Sequence, residues 1–218
     1  MRNIINEKVR AYTDGFYRPL TPALGELRIT AEEKHVPIIL KDTEALMLSL
    51  LNMQKPKRIL EIGTAVGYSA GVMAAALPTA QIITLEKDGR AFALAKENLK
   101  NLGVEDRVRV LEGDGALLLS RLAEEETEKV QFIFIDAAKS HYRAFWDGAM
   151  KLAEPGTIIL CDNILMNAAV ADECYDETGR FKTSINKMRE FLDYIAQTES
   201  VQTSILPVGD GVSISYVR

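Results

Sequence analysis

Two apolar runs in the second half of the chain end in oxygen-bearing side chains. Gln131-Phe132-Ile133-Phe134-Ile135 leads into Asp136, and Thr157-Ile158-Ile159-Leu160-Cys161 leads into Asp162-Asn163. Two carboxylates and an amide are hard oxygen donors, suited to Mg²⁺, Mn²⁺ or Ca²⁺ and poorly suited to zinc. Three protein ligands leave the rest of an octahedron to water or substrate oxygens. Lys139, three residues beyond Asp136, can reach the same rim. Beside a cation its charged form is disfavoured, which suits a general base that takes the proton of a substrate hydroxyl. The metal would bind that oxygen and acidify it. Each pair also has a local reading: Asp162 and Asn163 as caps of a following turn, and Asp136 as the ion-pair partner of Lys139. Both pairs standing at neighbouring strand ends favours the metal.

For these groups to meet, the two runs must be adjacent parallel strands with their carboxyl ends together. That is the edge where open α/β sheets bind ligands. One helix-length crossover separates them, which fits. A third such strand end lies upstream, in Ile59-Leu60-Glu61-Ile62-Gly63-Thr64-Ala65-Val66-Gly67-Tyr68-Ser69. An apolar run, an acid and two glycines four apart read as a strand turning tightly into a helix, where a ligand approaches the backbone closely. Taken alone, the stretch is equally an ordinary β–α connection. Glu86, at the end of the next run about twenty residues on, is spaced to accept hydrogen bonds from both hydroxyls of a ribose. Asp114 in Gly113-Asp114-Gly115 ends the third run; it can meet an adenine amino group, cap the following helix, or do both. Gly115 leaves room for the ring.

The loop also discriminates between nucleotide cofactors. A dinucleotide wants its pyrophosphate on a helix N-terminus behind G-x-G-x-x-G. Here Ala65 stands where the middle glycine would be, and Glu61 precedes the turn. A carboxylate there repels a pyrophosphate and welcomes a cation, so S-adenosyl-L-methionine, with its sulfonium and ammonium, fits better than NAD.

The elements that must position these residues alternate. Strands are expected over 58–62, 81–86, 107–111, 130–135 and 156–161. Helices are expected over 67–77, 89–102, 115–126, 142–153 and 183–197. This rhythm predicts a parallel sheet covered on both faces. Two further β-like runs, 201–208 and 212–217, are joined by Gly209-Asp210-Gly211, so the last strand is expected antiparallel to its neighbour. Helices over 2–12, 21–34 and 42–53 precede the first strand, with Thr21 as N-cap and Pro22 at the first helical position. Residues 1–218 read as one domain, with 1–55 packed on it. His141, Tyr142, Phe145 and Trp146 recur at helical spacing, as an aromatic face packed on the sheet or as a stacking platform for a base.

The chain has 218 residues, 47% of them hydrophobic and 26% charged, and a net charge of −5. A polyanion would therefore need a local patch, and Arg180, Lys182, Lys187 and Arg189 offer one, unless they are only a solvated helix face. Cys161 and Cys174 have no zinc-ligand spacing. With neither a signal-peptide pattern at Met1 nor a run near the 18 residues of a membrane span, a cytoplasmic protein without a membrane partner is expected.

The motifs Leu60-Glu61-Ile62-Gly63-Thr64, Gly67-Tyr68-Ser69, Phe134-Ile135-Asp136-Ala137-Ala138-Lys139, Asp162-Asn163 and Val208-Gly209-Asp210-Gly211 resemble those of the cation-dependent O-methyltransferases, the caffeoyl-CoA and catechol type. The likeness runs from about Ile29 to Arg218. It implies a Rossmann-like class I methyltransferase, a doubly wound, mostly parallel seven-stranded sheet with an antiparallel last strand. Carried over by position, the cofactor contacts fall on Ile38, Gly63, Ser69, Glu86, Asp114, Gly115 and Asp136, beside the Glu61 read from charge. The metal falls on Asp136, Asp162 and Asn163, with Lys139 as base. Many relatives have a second aspartate where this chain has Ala138. With that alanine, His35-Val36-Pro37-Ile38 and Pro207-Val208-Gly209-Asp210-Gly211 are similar to the bacterial branch that methylates 5-hydroxyuridine at the tRNA wobble position. That branch implies tRNA as partner; a catechol-like vicinal diol is the other substrate the same site would chelate. The family is commonly homodimeric, and Asp210 either approaches the substrate or simply makes its turn.

Overall fold

The computed structural model describes Ile4, 6–126 and 128–218. Seven strands form one sheet in the order β3-β2-β1-β4-β5-β7-β6. They are β1 (Arg58–Ile62), β2 (Gln81–Glu86), β3 (Val108–Glu112), β4 (Val130–Ile135), β5 (Ala153–Cys161), β6 (Val201–Leu206) and β7 (Val212–Val217). The first five are parallel. β7 returns between β5 and β6, antiparallel to both, so the hairpin folds inward and its first strand becomes the edge.

Five helices cover the sheet after β1: α4 (Tyr68–Ala76), α5 (Gly89–Asn101), α6 (Gly115–Glu125), α7 (Tyr142–Met150) and α8 (Lys182–Gln197). Three precede it: α1 (Glu7–Asp14), α2 (Pro22–Glu33) and α3 (Lys41–Gln54). The expected first helix over 2–12 is observed from Glu7 onward; residues 1–3 and 5 lie outside the described residues. Thr21 does cap α2, its hydroxyl accepting from the Leu24 N–H at 3.2 Å, with Pro22 where its missing donor costs nothing. β4 shows why the strands are apolar throughout. Phe132 and Phe134 enter the core under α3 and α4, whereas Ile133 and Ile135 enter the core under α7 and α8. A strand buried on both faces cannot alternate in polarity.

Apart from the start of α1, the largest boundary differences from expectation lie between α7 and β5; most others are within a residue or two. α7 stops at Met150 and β5 starts at Ala153, three residues before the expected start at 156. The sheet absorbs Pro155-Gly156 as a bulge: pairing passes from Val130–Ala153 to Phe132–Ile158, and Gly156 takes φ +96°. Bulges are where a sheet tolerates proline and positive-φ glycine.

The strand order reverses direction between β1 and β4. There the Asp136 N–H donates to the Ile62 carbonyl at 3.0 Å, and Gly63 (φ +103°) presses on the Asp136 main chain. A Cβ on Gly63 would lie 1.9 Å from the Asp136 carbonyl oxygen. Gly63→Ala should therefore cost on the order of 3 kcal/mol or more of stability. Urea denaturation checks this; a variant within 1 kcal/mol of the parent would contradict the contact.

Candidate active site

The turn after β1 is held from β2. The N–H groups of Gly63 and Thr64 donate to the Leu85 carbonyl at 3.0 and 3.2 Å. The Ala65 N–H donates to Glu86 Oε2 at 2.8 Å, and the Asp88 N–H to Glu86 Oε1 at 2.8 Å. Glu86 thus braces the turn while facing a cavity of about 280 Å³, which Gly63, Asp114, Gly115, Asp136 and Phe145 also line. Asp114 caps α6 through Ala116 and pairs with Lys87 at 3.1 Å. Lys87 and these amides hold its carboxyl below the usual range. Gly115 is needed for space: a Cβ there would come within 2.9 Å of the Phe145 ring.

The aromatic series divides. Tyr142 and Trp146 are buried and pack edge-on against Phe191, as the core reading expects. His141 and Phe145 stack at 5.9 Å and wall the cavity.

Glu61 lies beneath the turn rather than in the cavities above it. It is fully buried and accepts from Ser69 Oγ and Thr84 Oγ1, each at 2.5 Å. Thr64 in turn meets Thr84 at 2.6 Å, so a row of hydroxyls ends on this carboxylate. Burial, with Asp136 and Glu86 nearby, pushes its carboxyl up to about 7 despite those donors. Ser69 and Ile38 line a second cavity of about 320 Å³, which shares Gly63, Ala65, Asp136 and Ala137 with the first and adds Lys139 and Asn163.

Two of the three expected ligands, Asp136 and Asn163, line this second cavity with Lys139. Lys139 Nζ donates to Asp136 Oδ1 at 3.0 Å, Asn163 Oδ1 at 3.1 Å and the Tyr142 hydroxyl at 2.9 Å. All three ammonium protons are used, and a positive charge sits between two of the three proposed ligands. Asp162 is fully buried. Its Oδ1 accepts from the Asn163 N–H at 2.7 Å, and its Oδ2 has no partner. Burial and the neighbouring Asp136 charge hold its carboxyl well above the ordinary range. An orphaned buried acid oxygen, on the residue before Asn163, together with two oxygens that converge on Lys139 fits a hard cation. Among the described residues no group of three His, Cys, Asp or Glu is arranged for a metal; this triad has an amide as its third member.

Asn163 opens a strained loop. Asn163, Met166, Asn167 and Ala168 all have φ between 49° and 73°, each costing about 1 kcal/mol or more for a residue with a Cβ. The β6–β7 turn maintains the loop. Ile164 and Leu165 donate to the carbonyls of Gly211 and Asp210, each at 3.0 Å, and the Asn167 N–H donates to Asp210 Oδ1 at 2.6 Å. The turn is anchored to α3 through the Gly209 N–H and Asp42 Oδ2 at 2.9 Å. Asp210 therefore does more than make its own turn.

Three contributors were invisible in the sequence. Tyr142, read as core, donates to the Asp162 carbonyl at 2.6 Å and accepts from Lys139. Asn167 borders the site through the strained loop. Arg28 is nearly buried and binds Glu44 at 2.5 Å, the Ile39 carbonyl at 2.9 Å and the Tyr68 hydroxyl at 3.1 Å. It ties α2 and α3 to the residue that opens α4. Only the partner spacing of 11 to 40 residues could have signalled it, and no local pattern reports such spacing.

The pattern of the O-methyltransferase family matches residues 18–217. A catechol O-methyltransferase of Niastella koreensis is 32% identical over 226 residues, covering all of both chains. The chain belongs to the O-methyltransferase family. It is an enzyme of the methyl-transfer class. A Staphylococcus aureus structure with a provisional caffeoyl-CoA O-methyltransferase designation matches at TM-score 0.90 and 26% identity, over 97% of this chain and 100% of that one. An O-methyltransferase from Bacillus cereus in complex with SAH matches at TM-score 0.84 and 28% identity, over 97% of each chain. That complex supports the S-adenosylmethionine expected from the loop.

Glu61 gives a pH test. A carboxyl raised from 4.5 to about 7 adds stability that is whole below pH 4.5 and is lost as pH rises through 7. The loss is about 3 kcal/mol for the cofactor-free protein. Glu61→Gln keeps the shape of the protonated acid, so it should melt higher than the parent above pH 7 and match it near pH 4.5. Parallel melting curves at all pH values would contradict the assignment.

Proposed function

We propose that the chain transfers the methyl group of S-adenosylmethionine to a hydroxyl with a second oxygen beside it. In this reading a divalent cation is held by Asp136, Asp162 and Asn163, and Lys139 receives the hydroxyl proton. The observation that carries it is the convergence of Asp136 Oδ1 and Asn163 Oδ1 on Lys139 Nζ, together with the buried, unpartnered Oδ2 of Asp162.

Mg²⁺, or Mn²⁺ or Ca²⁺, would supply Lewis acidity to both acceptor oxygens at this triad. The chain supplies the rest. Gly63 lets the turn approach the cofactor, Glu86 and Asp114 face its nucleoside, and Ile38 and Ser69 border its amino-acid end. Glu61, below them, adds negative charge under a ligand that is positive. Asp136 lines both cavities, so methyl donor and acceptor meet at its carboxylate, where orientation alone is worth several kcal/mol. Lys139 reaches the same point from the strand end and holds the departing proton at Nζ.

For the acceptor we infer 5-hydroxyuridine at the tRNA wobble position, whose hydroxyl adjoins a carbonyl. The branch-like motifs His35-Val36-Pro37-Ile38, Asp136-Ala137-Ala138-Lys139 and Pro207-Val208-Gly209-Asp210-Gly211 support it. In the basic segment Arg189 is drawn to Glu173 at 2.8 Å, which leaves the exposed Arg180, Lys182 and Lys187 for phosphates. The second reading, a vicinal-diol small molecule, is favoured by the name of the Niastella koreensis relative. One domain, a homodimer and a cytoplasmic location belong to the same proposal; among the described residues no helix is long and apolar enough to cross a membrane.

Lys139→Ala should lower kcat about 10²- to 10⁴-fold and leave S-adenosylhomocysteine binding intact. EDTA should stop turnover and Mn²⁺ restore it. Activity of the variant within threefold of the parent would remove the base. For the substrate, mass spectrometry of tRNA from cells lacking the gene should show 5-hydroxyuridine replacing 5-methoxyuridine. Unchanged 5-methoxyuridine, with transfer to a catechol in vitro, would select the small-molecule reading.

A further inference from the structure

On the side of Asn163 away from the cofactor turn lies a third cavity of about 390 Å³, bounded by Arg28, Glu32, Ile38, Asn163, Asn167 and Asp210. It shares Ile38 and Asn163 with the cavity that holds Lys139. An acceptor hydroxyl held at the rim between Lys139 and Asn163 leaves the rest of its molecule to enter this space. The other recess at Lys139, toward Lys187 and Glu190, is not bordered by Asn163.

The charges around this cavity are lopsided. Its one cation among the described residues, Arg28, is already shared between Glu44 at 2.5 Å and Glu32 at 3.0 Å, and its Nε–H faces the hydroxyls of Tyr17 and Tyr68. The other charged groups in the wall are the carboxylates of Glu32 and Asp210, and no lysine lines it among the described residues. Glu32 is half exposed, with 50% of its side chain accessible, so it faces what enters. Asn163 and Asn167 add uncharged polarity.

We propose that this cavity receives the body of the acceptor and selects against negative charge on it. A neutral ring with N–H or O–H donors, such as a nucleobase or an uncharged diol, finds acceptors in Glu32 and the amides. A ring bearing a carboxylate or phosphate meets the exposed Glu32 carboxylate and an Arg28 guanidinium already shared with Glu44 and Glu32. The inference rests on the chelating-acceptor reading above and names the class of molecule that reading admits.

Calorimetry on the full chain loaded with S-adenosylhomocysteine and Mn²⁺ tests it, using 3,4-dihydroxybenzoate and its methyl ester as probes. The ester should bind about tenfold more tightly, and Glu32→Gln should narrow the gap about threefold by removing one charge near the ring. Added salt should narrow it as well. Ester formation also acidifies the ring hydroxyls, so the change in the ratio on Glu32→Gln is decisive; a purely structural role for Glu32 would shift both probes equally. S-adenosylhomocysteine affinity should not move. Equal affinities, or a ratio unchanged in the variant, overturn the inference. Failure of Mn²⁺ itself to bind, or of both probes to bind the loaded protein, overturns the chelating reading and this inference with it.

Discussion

The contact between Gly63 and the main chain of Asp136 is the constraint on which the rest depends. It joins the turn that opens the cofactor cavity to the strand end that offers the first proposed metal ligand. No side chain intervenes, since even a Cβ would overlap the carbonyl oxygen. The sheet produces this contact because its order reverses between β1 and β4. Crossovers leave in opposite directions there, and the two strand ends stand open together. In the proposed reading, a methyl donor on one and an acceptor on the other would meet at one carboxylate because of this backbone contact.

Buried charge is handled differently in two places. The Arg28, Glu44, Tyr17 and Tyr68 group is closed on itself, each polar atom meeting another. Such a group fixes geometry and asks nothing of a ligand. Glu61 and Asp162 are left with raised carboxyls, and Asp162 keeps an oxygen with no partner. Both stand where the proposed ligands are positive. A fold that accepts the cost of two under-compensated carboxylates gains in binding what it loses in stability, since a positive ligand relieves the penalty when it arrives.

Much of this was readable from residue order. β1, β2 and β4 begin and end where their apolar runs do, because strands buried on both faces leave a continuous mark. The switch from a pyrophosphate to a sulfonium cofactor followed from Glu61 and Ala65, although Glu61 acts from below the turn and not as a wall of the cavity. The start of β5 was hidden because Pro155-Gly156 looks like a break, and a bulge let the sheet carry it. The insertion of β7 between β5 and β6 was hidden because a short turn fixes only that two strands are antiparallel, not which of them is the edge. The loop with left-handed Asn163, Met166, Asn167 and Ala168 has no glycine to announce it. Its cause lies over forty residues away, at Asp210.

Lys139 links these threads. Its three protons are committed to Asp136, Asn163 and Tyr142, and the first two of those oxygens are also the proposed ligands. One group cannot at once neutralise those oxygens and receive a proton from a hydroxyl. In the proposed mechanism Lys139 must give up one of these protons before it can accept one from a hydroxyl, and a cation on Asp136 and Asn163 would replace the positive charge those oxygens lose. The three-residue spacing lets the lysine reach Asp136 and the Tyr142 hydroxyl at once. Tyr142 remains as a fixed point, because its proton is given to the Asp162 carbonyl and its own acidity is suppressed by burial. The proposed base and the proposed ion site thus share the same oxygens, at Asp136 and Asn163.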